Sequence, residues 1–364
     1  MKAIGIYTYH AETNFGAQLQ AYATQKFLAD KGYSVELVNL YSRQREKSMH
    51  YRFPWNSIKG TILNIMAFFM PAVRRKIRNI NSFHSEMRLS KRFFSEKEYM
   101  EKPIMYDIHL VGSDQVWNIE HGISDNPFFF LSFLPNEAIR ISYASSFGNT
   151  NVRKDLYPRL KELLLPFKAI STREREGVDL IYEASGLKAT HVLDPTFLLT
   201  MQQWNEIILP DRIIKTKYIL YYGFDRDEKC KKMIDTISLH LRLPVVGVSV
   251  SLTSPYKFDH FVMDAGPKEF LRLIRDAEYV VTSSFHGLAL AINFRRNFVV
   301  IKHGTRMSRM ESILEQFGLT NRIVSSVDEL KKLLMKDAVI NYEKCENMIE
   351  KSVVYSRQWL LNNI

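Results

Sequence analysis

A short apolar segment, a polar loop and a helical pattern follow one another repeatedly along this chain. The pattern first appears as an apolar run at residues 2–7, a loop at 10–14, helical apolar spacing at 16–31 and a second apolar run at 34–40. Apolar runs of this length between turn residues are typical of strands buried on both faces. Their alternation with helices predicts an α/β fold built on parallel sheets.

The recurrence falls into two halves. Further strands are predicted at 108–111, 141–144, 169–172 and 191–193, and again at 218–222, 244–249, 279–282 and 298–301. The length of 364 residues suits two domains. We therefore predict two Rossmann-like domains that face each other across a cleft, over residues 1–205 and 206–340. A C-terminal helix over 341–364 has apolar spacing that allows it to pack back on the first domain.

The positive charge is concentrated in residues 42–102, called the basic segment below. This segment holds 14 Lys or Arg and 5 Asp or Glu, which accounts for +9 of the net charge of +11. No nucleic-acid-binding motif accompanies these cations, so we expect no nucleic-acid partner. The segment contains an apolar stretch at 58–70, too short to span a bilayer, followed by Arg74, Arg75, Lys76 and Arg78. Two interpretations stay open: an insertion that packs on the first domain or on a second subunit, and a surface that contacts an anionic membrane.

Metals and cofactors are not expected. Cys230 and Cys345 are too few for a disulfide framework or a four-ligand zinc site, and no metal or phosphate-loop motif occurs. His286, Asp114 and Asp194 are scattered along the sequence and do not form a metal-ligand set. A soluble, cytoplasmic protein is expected, with peripheral contact at the inner face of the membrane under the second interpretation of the basic segment.

The loops that follow predicted strands hold the candidate site residues, because ligands of parallel α/β sheets bind at the carboxyl ends of strands. After the first strand, Asn14, Gly16 and Gln18 open a helix whose free N–H groups are suited to an anion or a sugar hydroxyl. After a later strand, Asp114 is a candidate base on a sugar hydroxyl and Trp117 a candidate platform for a sugar ring. A plain turn, helix capping and core packing are the respective alternatives.

His286 is the leading catalytic candidate. It lies in SSFHG at 283–287, in the first turn of a predicted helix, with Ser283, Ser284 and Gly287 as candidate substrate contacts. The helix dipole lowers the pKa of an imidazole at this place and a bound anion raises it, which suits a general acid. A structural histidine is the alternative.

Two arginines follow strands and could bind anions. Arg173 comes directly after the strand at 169–172, and Arg309 follows the strand at 298–301. A guanidinium group binds phosphate or carboxylate through two parallel hydrogen bonds. The alternative for each is a surface salt bridge.

Taken in order, these motifs resemble those of the polysaccharide pyruvyl transferase family. They are NFGAQLQAYA at 14–23, VGSDQVWN at 111–118, SYASSFG at 142–148, STRE at 171–174, VLDPTFLL at 192–199, GPKEFLRLI at 266–274, YVVTSSFHGLALAINF at 279–294 and RMSRMESIL at 306–314. The resemblance covers residues 1–322 apart from the basic segment.

The resemblance implies a fold similar to the glycosyltransferase-B architecture and a role in exopolysaccharide biosynthesis. It implies transfer of a pyruvyl group from phosphoenolpyruvate to a sugar of a polysaccharide or lipid-linked glycan, as a ketal, with release of phosphate. His286 would be the acid that protonates the donor, and Arg173 and Arg309 would bind the donor's anionic groups. The alternatives are a glycosyltransferase that uses a nucleotide-activated sugar and a carbohydrate-binding protein without catalysis.

Overall fold

The computed structural model describes most of the chain. The described residues are 1–11, 13–40, 69–118, 127–208, 210–223, 225–250, 254–302 and 307–364, with the single positions 58, 61, 62 and 65. The part of the basic segment at 42–57 lies outside the described residues.

The first half is built on a five-stranded parallel sheet with the order β2-β1-β3-β4-β5. Its strands are β1 (Ala3–Tyr7), β2 (Ser34–Leu37), β3 (Ile108–Val111), β4 (Arg140–Ser142) and β5 (Phe167–Ala169). The helices that accompany them are α1 (Phe15–Asp30), α2 (Pro71–His84), α3 (Glu96–Glu101) and α4 (Tyr157–Leu164).

A small parallel pair of strands follows this sheet. It consists of β6 (Ser171–Thr172) and β7 (Thr190–His191), joined by α5 (Arg175–Ser185). Isolated bridges from Asp114 to Ser145 and from Ser145 to Thr172 connect the pair to the ends of β3 and β4. The loops that leave β3, β4 and β6 therefore lie side by side.

The second half is built on a six-stranded parallel sheet with the order β10-β9-β8-β11-β12-β13. Its strands are β8 (Ile219–Tyr222), β9 (Val245–Val248), β10 (His260–Val262), β11 (Tyr279–Thr282), β12 (Asn297–Ile301) and β13 (Ile323–Val324). The helices are α6 (Met201–Glu206), α7 (Glu228–Leu241), α8 (Pro267–Asp276), α9 (Phe285–Asn293), α10 (Ser308–Gln316), α11 (Val327–Asp337) and α12 (Glu343–Asn363).

The two parallel sheets confirm the predicted α/β class. One apolar cluster runs through both halves, with Ile6 and Leu19 in the first and Leu220 and Leu290 in the second, so the halves share a core where they meet. The domain boundary at 205/206 stays a prediction.

The C-terminal helix α12 lies against residues of the first half. The amide of Leu193 donates to Oγ of Ser356 over 3.0 Å, and Nη2 of Arg357 donates to the carbonyl of Leu198 over 2.8 Å. The ring of Trp359 lies 6.2 Å from that of Tyr143. The chain thus returns across the boundary between the halves.

Candidate functional site

The strand order of each sheet reverses at one point, and the predicted site residues follow the strands at these points. The first sheet reverses between β1 and β3, and the second between β8 and β11. At such a point the connections leave on opposite faces of the sheet, and a crevice opens at the carboxyl ends of the strands. Asn14 and Gly16 follow β1, Asp114 follows β3, and His286 follows β11.

Gly16, after β1 of the first sheet, lies directly against His286, after β11 of the second sheet. A Cβ atom on Gly16 would lie 2.0 Å from Nδ1 of His286, so no other residue type fits here without moving the imidazole. Asn14 caps α1 by accepting a hydrogen bond from the Gly16 amide over 2.9 Å. The first turn of α1 and the first turn of α9, one from each half, therefore adjoin, and each carries amides without a helical partner.

Arg173 lies at the centre of a set of buried charged groups. Its Nη1 donates to Oδ2 of Asp194 over 2.8 Å, its Nη2 lies 3.8 Å from Oδ1 of Asp114, and its Nε lies 3.7 Å from Oε1 of Glu174. The guanidinium carbon lies 4.3 Å from the ring centre of Phe285, the residue before the predicted acid. The buried charge cluster, as it is called below, comprises Asp114, Arg173, Glu174, Asp194 and His286.

Asp194 is the most completely bonded carboxylate of the cluster. Its Oδ1 accepts from the amide and hydroxyl of Thr196 over 2.9 and 2.8 Å, and its Oδ2 accepts from Ser113 over 3.1 Å and from Arg173. Burial alone would raise the pKa of Asp194, but His286, Arg173 and the Thr196 amide together lower it. Asp194 is therefore a permanent negative charge in the cluster.

His286 faces that charge. Its Nε2 lies 3.7 Å from Oδ2 of Asp194 and has no hydrogen-bond partner among the described residues. Burial lowers the pKa of His286, Asp194 and Asp114 act in the opposite direction, and Arg173 adds to the lowering. The imidazole is thus neutral near pH 7 in the unliganded protein, and an additional anion beside it would favour the protonated form.

Two of the donor nitrogens of Arg173 make ion pairs but no hydrogen bond among the described residues. Its side chain is 1% exposed, yet neither Nε nor Nη2 has a hydrogen-bond partner among the described residues. Burial lowers the pKa of Arg173, but Asp194, Glu174 and Asp114 raise it by more, so the group stays charged. Unsatisfied buried donors are costly, and a bound anion would satisfy them.

Glu174 and Arg309 extend the field of the cluster. Burial raises the pKa of Glu174 and outweighs the opposing effects of Arg173 and Arg309, while Oε1 of Glu174 accepts from the Ser146 hydroxyl. Arg309, in the first turn of α10, also acts electrostatically on His286. Arg309, predicted as a cation after β12, is therefore close enough to His286 to act on its charge.

Asp114 has an unusual backbone conformation. Its φ of 74° lies in the left-handed region, which is uncommon for a residue other than glycine. Its Oδ1 accepts from the Gln115 amide over 2.9 Å, and its peptide carbonyl accepts from Ser146. Such a conformation persists only where its surroundings hold it, and it is frequent at functional sites.

Trp117 corrects one sequence-based interpretation. Its ring is 1% exposed, stacks on Phe130 at 5.4 Å between ring centres, and donates through Nε1 to the carbonyl of Phe129 over 3.1 Å. No face of the indole is open to a sugar. The core-packing alternative is therefore correct, and the sugar-stacking role is wrong.

The remaining predicted contacts surround the cluster at the helix starts. Ser284 is the N-cap of α9, and a Cβ atom on Gly287 would lie 2.4 Å from Oγ1 of Thr282. Ser283 is partly exposed at the end of β11, and Gln18 is buried in the first turn of α1. Their roles as substrate contacts stay predictions.

Asp194 belongs to the cluster but is not among the predicted site residues. The structure joins Asp194, Asp114 and His286 through Arg173, although they lie up to 172 residues apart in the chain. The available signal was the position of Asp194 directly after a predicted strand. Within the part of the chain that the structure describes, no group of three or more His, Cys, Asp or Glu could hold a metal ion.

Comparison with known proteins gives a family and a fold. The family model for polysaccharide pyruvyl transferase matches residues 14–305. No curated protein sequence matches the chain.

Three solved structures share the fold at low sequence identity. A putative UDP-N-acetylglucosamine 2-epimerase from Listeria monocytogenes is 11% identical with a TM-score of 0.57, and the match covers 99% of this chain and 94% of that one. S. aureus MnaA in a co-structure with UDP is 11% identical with a TM-score of 0.53, covering 100% and 98%. UDP-GlcNAc 2-epimerase from Neisseria meningitidis bound to UDP-GlcNAc is 11% identical with a TM-score of 0.51, covering 100% of both chains. These likenesses establish two Rossmann-like domains in the glycosyltransferase-B arrangement.

Proposed function

The chain belongs to the polysaccharide pyruvyl transferase family, and on this premise we propose that it moves a pyruvyl group from phosphoenolpyruvate to a sugar of a polysaccharide or lipid-linked glycan. Membership makes it a transferase that acts on a carbohydrate. The donor and the ketal product are the proposed parts. The observation that carries them is the proximity of Nε2 of His286 to Nε and Nη2 of Arg173, three buried nitrogens without a hydrogen-bond partner among the described residues.

The proposed reaction consumes two sugar hydroxyls. A proton adds to the methylene carbon of the donor and leaves an oxocarbenium-like carbon, to which one hydroxyl oxygen adds. The bond from this carbon to the phosphate oxygen then breaks, and the second hydroxyl oxygen takes that place. Of the two hydroxyl protons, one replaces the proton given to the methylene carbon and the other leaves with phosphate, so the product is a ketal with a methyl group.

His286 is proposed as the acid that protonates the methylene carbon. The imidazole is neutral in the unliganded site because burial lowers its pKa. Phosphoenolpyruvate would bring at least two negative charges beside the imidazole and raise that pKa. His286 would then be protonated, and able to act as an acid, only when the donor is bound. Asp194, 3.7 Å from Nε2, stabilises the imidazolium.

Arg173 and Arg309 are proposed to hold the donor's anionic groups. Arg173 supplies Nε and Nη2, which have no hydrogen-bond partner among the described residues. Its Nη1 donates to Asp194, which fixes the orientation of the guanidinium group and so of Nε and Nη2. Donors fixed before the reaction stabilise developing charge without reorganisation, which favours catalysis.

The acceptor is proposed to enter beside Asp114. This carboxylate lies across Arg173 from Asp194 and is the most exposed carboxylate of the cluster, at 13% of its side chain. A carboxylate in this position suits the removal of a proton from a sugar hydroxyl. Ser283, Ser284 and the first turn of α1, from Asn14 to Gln18, would line the same crevice.

The setting proposed for this reaction is exopolysaccharide synthesis in the cytoplasm, where phosphoenolpyruvate is made. Both cysteines, Cys230 and Cys345, are free thiols in the structure, which suits a reducing compartment. No further cofactor is proposed, since the donor carries the group to be transferred.

One incubation tests the proposal. The protein is mixed with phosphoenolpyruvate and a panel of glycosides and lipid-linked oligosaccharides that present neighbouring pairs of free hydroxyls. We expect a product whose mass includes one pyruvyl ketal, and phosphate released in a one-to-one ratio with it. A UDP-sugar in place of phosphoenolpyruvate is the control donor, and sugar transfer from it without any pyruvyl product would contradict the proposal.

A further inference from the structure

Four apolar side chains in the basic segment form an exposed stripe. Ile58, Ile62, Ile65 and Phe69 each have helical backbone, and their spacings of four, three and four residues are those of one face of a helix. Their exposed fractions are 83%, 51%, 51% and 64%, and Met70 directly after them is 43% exposed. Side chains of this kind are normally buried, so a continuous exposed row indicates an interaction surface.

Cations adjoin this stripe. Helix α2 begins at Pro71, and its exposed face carries Arg74 and Arg78, one turn apart. The guanidinium carbon of Arg74 lies 5.7 Å from the ring centre of Phe69, so cations and stripe form one continuous surface. The basic apolar surface, as it is called below, comprises Ile58, Ile62, Ile65, Phe69, Met70, Arg74 and Arg78.

The opposite face of α2 fixes this surface to the rest of the molecule. Val73, Ile80 and Phe83 are buried. Lys76 is 6% exposed, and its Nζ donates to the carbonyls of Ser249 and Val250 over 3.2 and 2.6 Å.

Further contacts of α2 reach the loop before α8. Nε of Arg75 lies 2.6 Å from Oδ2 of Asp264, and Nδ2 of Asn79 donates to the carbonyl of the same residue over 2.9 Å. The buried face of α2 also contacts the first half, where the ring of Phe83 lies 5.5 Å from that of Tyr22. The opposite face, with Arg74 and Arg78, is exposed. The four described side chains of the stripe are exposed and so do not pack on the first domain, and the alternative of an insertion packed on the first domain or on a second subunit stays a prediction.

We propose that the basic apolar surface binds the surface of an anionic bilayer. An interfacial helix needs an apolar row that enters the acyl boundary and cations that meet the headgroups, and both are present side by side. Charge complementarity identifies the partner, since the segment that contains this surface carries +9 of the protein's net charge of +11. Among the residues that the structure describes, no helix has the length and apolarity to cross a membrane. This inference does not depend on the transfer reaction.

Flotation with vesicles tests the proposal on the full chain. Vesicles of pure phosphatidylcholine are compared with equimolar phosphatidylcholine and phosphatidylglycerol, at low and at high NaCl. We expect the protein to float with the anionic vesicles at low salt, to stay behind with neutral vesicles, and to dissociate as salt screens the cations. Protein that stays in the soluble fraction with anionic vesicles at low salt overturns the proposal.

Variants assign the binding to this surface. Ile58→Ser, Ile62→Ser, Ile65→Ser and Phe69→Ser combined should abolish flotation, and Arg74→Gln with Arg78→Gln should weaken it by about fivefold for each cation. The matched controls are Leu239→Ser with Met335→Ser and Lys154→Gln with Lys217→Gln, at positions that are comparably exposed on other elements. Equal flotation of the stripe variant and its control would overturn the assignment.

A second copy of this chain is the competing occupant. Light scattering of the vesicle-free protein decides between the two. A monomer would show that no second copy covers the stripe, and it would support the bilayer as the partner. A dimer that the stripe variant abolishes while the Leu239 and Met335 control retains it would mean that another copy covers the stripe, and it would overturn the proposal.

Discussion

The buried charge cluster and the basic apolar surface both present arginines, and they differ in what compensates the charge. Arg173 is 3% exposed and is surrounded by Asp114, Glu174 and Asp194. Arg74 is exposed and lies beside an aromatic ring and an apolar row. A buried charge surrounded by opposite charges has a fixed orientation and suits a small ligand, whereas exposed charge beside apolar area suits an extended anionic partner.

The largest effect is expected inside the cluster, on turnover. His286→Ala should lower kcat by about 10²–10⁴-fold, the usual contribution of a positioned acid, with the folded state retained. His240→Ala, at an exposed position of α7, is the matched control and should keep full turnover. If His286→Ala is as active as His240→Ala in steady-state assays of phosphate release, the imidazole is not the acid.

The next effect concerns stability. Asp194→Asn leaves Arg173 buried without the partner of its 2.8 Å ion pair, and breaking such a pair destabilises a protein by about 3–5 kcal/mol. Asp235→Asn breaks the exposed Lys231–Asp235 pair of the same type and should leave the urea midpoint unchanged. Equal midpoints for the two variants would show that the cluster is not compensated as described.

A smaller effect is expected on donor binding. Arg173→Lys keeps the charge but loses the planar set of donors, so Kd for phosphoenolpyruvate should rise by about 10- to 100-fold. Arg159→Lys, in an exposed pair with Glu162, is the control. Calorimetry that finds one affinity for both variants and the parent would remove Arg173 from the donor site.

The smallest effect is a shift along the pH axis. Burial lowers the pKa of His286 in the unliganded site, and the bound donor should raise it. Since the protonated imidazole is the active form, activity falls as pH rises through that pKa. The falling limb in kcat/KM reports the free protein and should lie at lower pH than the limb in kcat. Coinciding limbs would mean that the donor leaves this pKa unchanged.

The sequence predicts the parts of the molecule that depend on local pattern. The strands at 108–111 and 279–282 are confirmed at both ends, and the helix α9 begins at Phe285, so His286 lies in its first turn as predicted. Apolar runs and caps are local signals, and the strand-to-helix turn that carries His286 follows from them.

Contacts between distant segments could not be predicted in the same way. Trp117 follows a strand and could have faced solvent, but the ring of Phe130 stacks on it and the carbonyl of Phe129 accepts a hydrogen bond from its Nε1. The predicted strand at 169–172 is divided between two sheets at Ile170, because Ser171 pairs with Thr190 in a separate sheet. The contact of Gly16 with His286 joins residues that no local spacing relates.

The central claim is that this site protonates the methylene carbon of phosphoenolpyruvate and transfers the resulting pyruvyl group to a sugar. Running the reaction in D₂O tests both steps in one product, because a proton supplied by His286 exchanges with solvent. The account predicts a pyruvyl ketal whose methyl group carries deuterium by mass spectrometry, and almost none of it with His286→Ala. A ketal methyl group without deuterium, or a sugar product without a pyruvyl group, would contradict it.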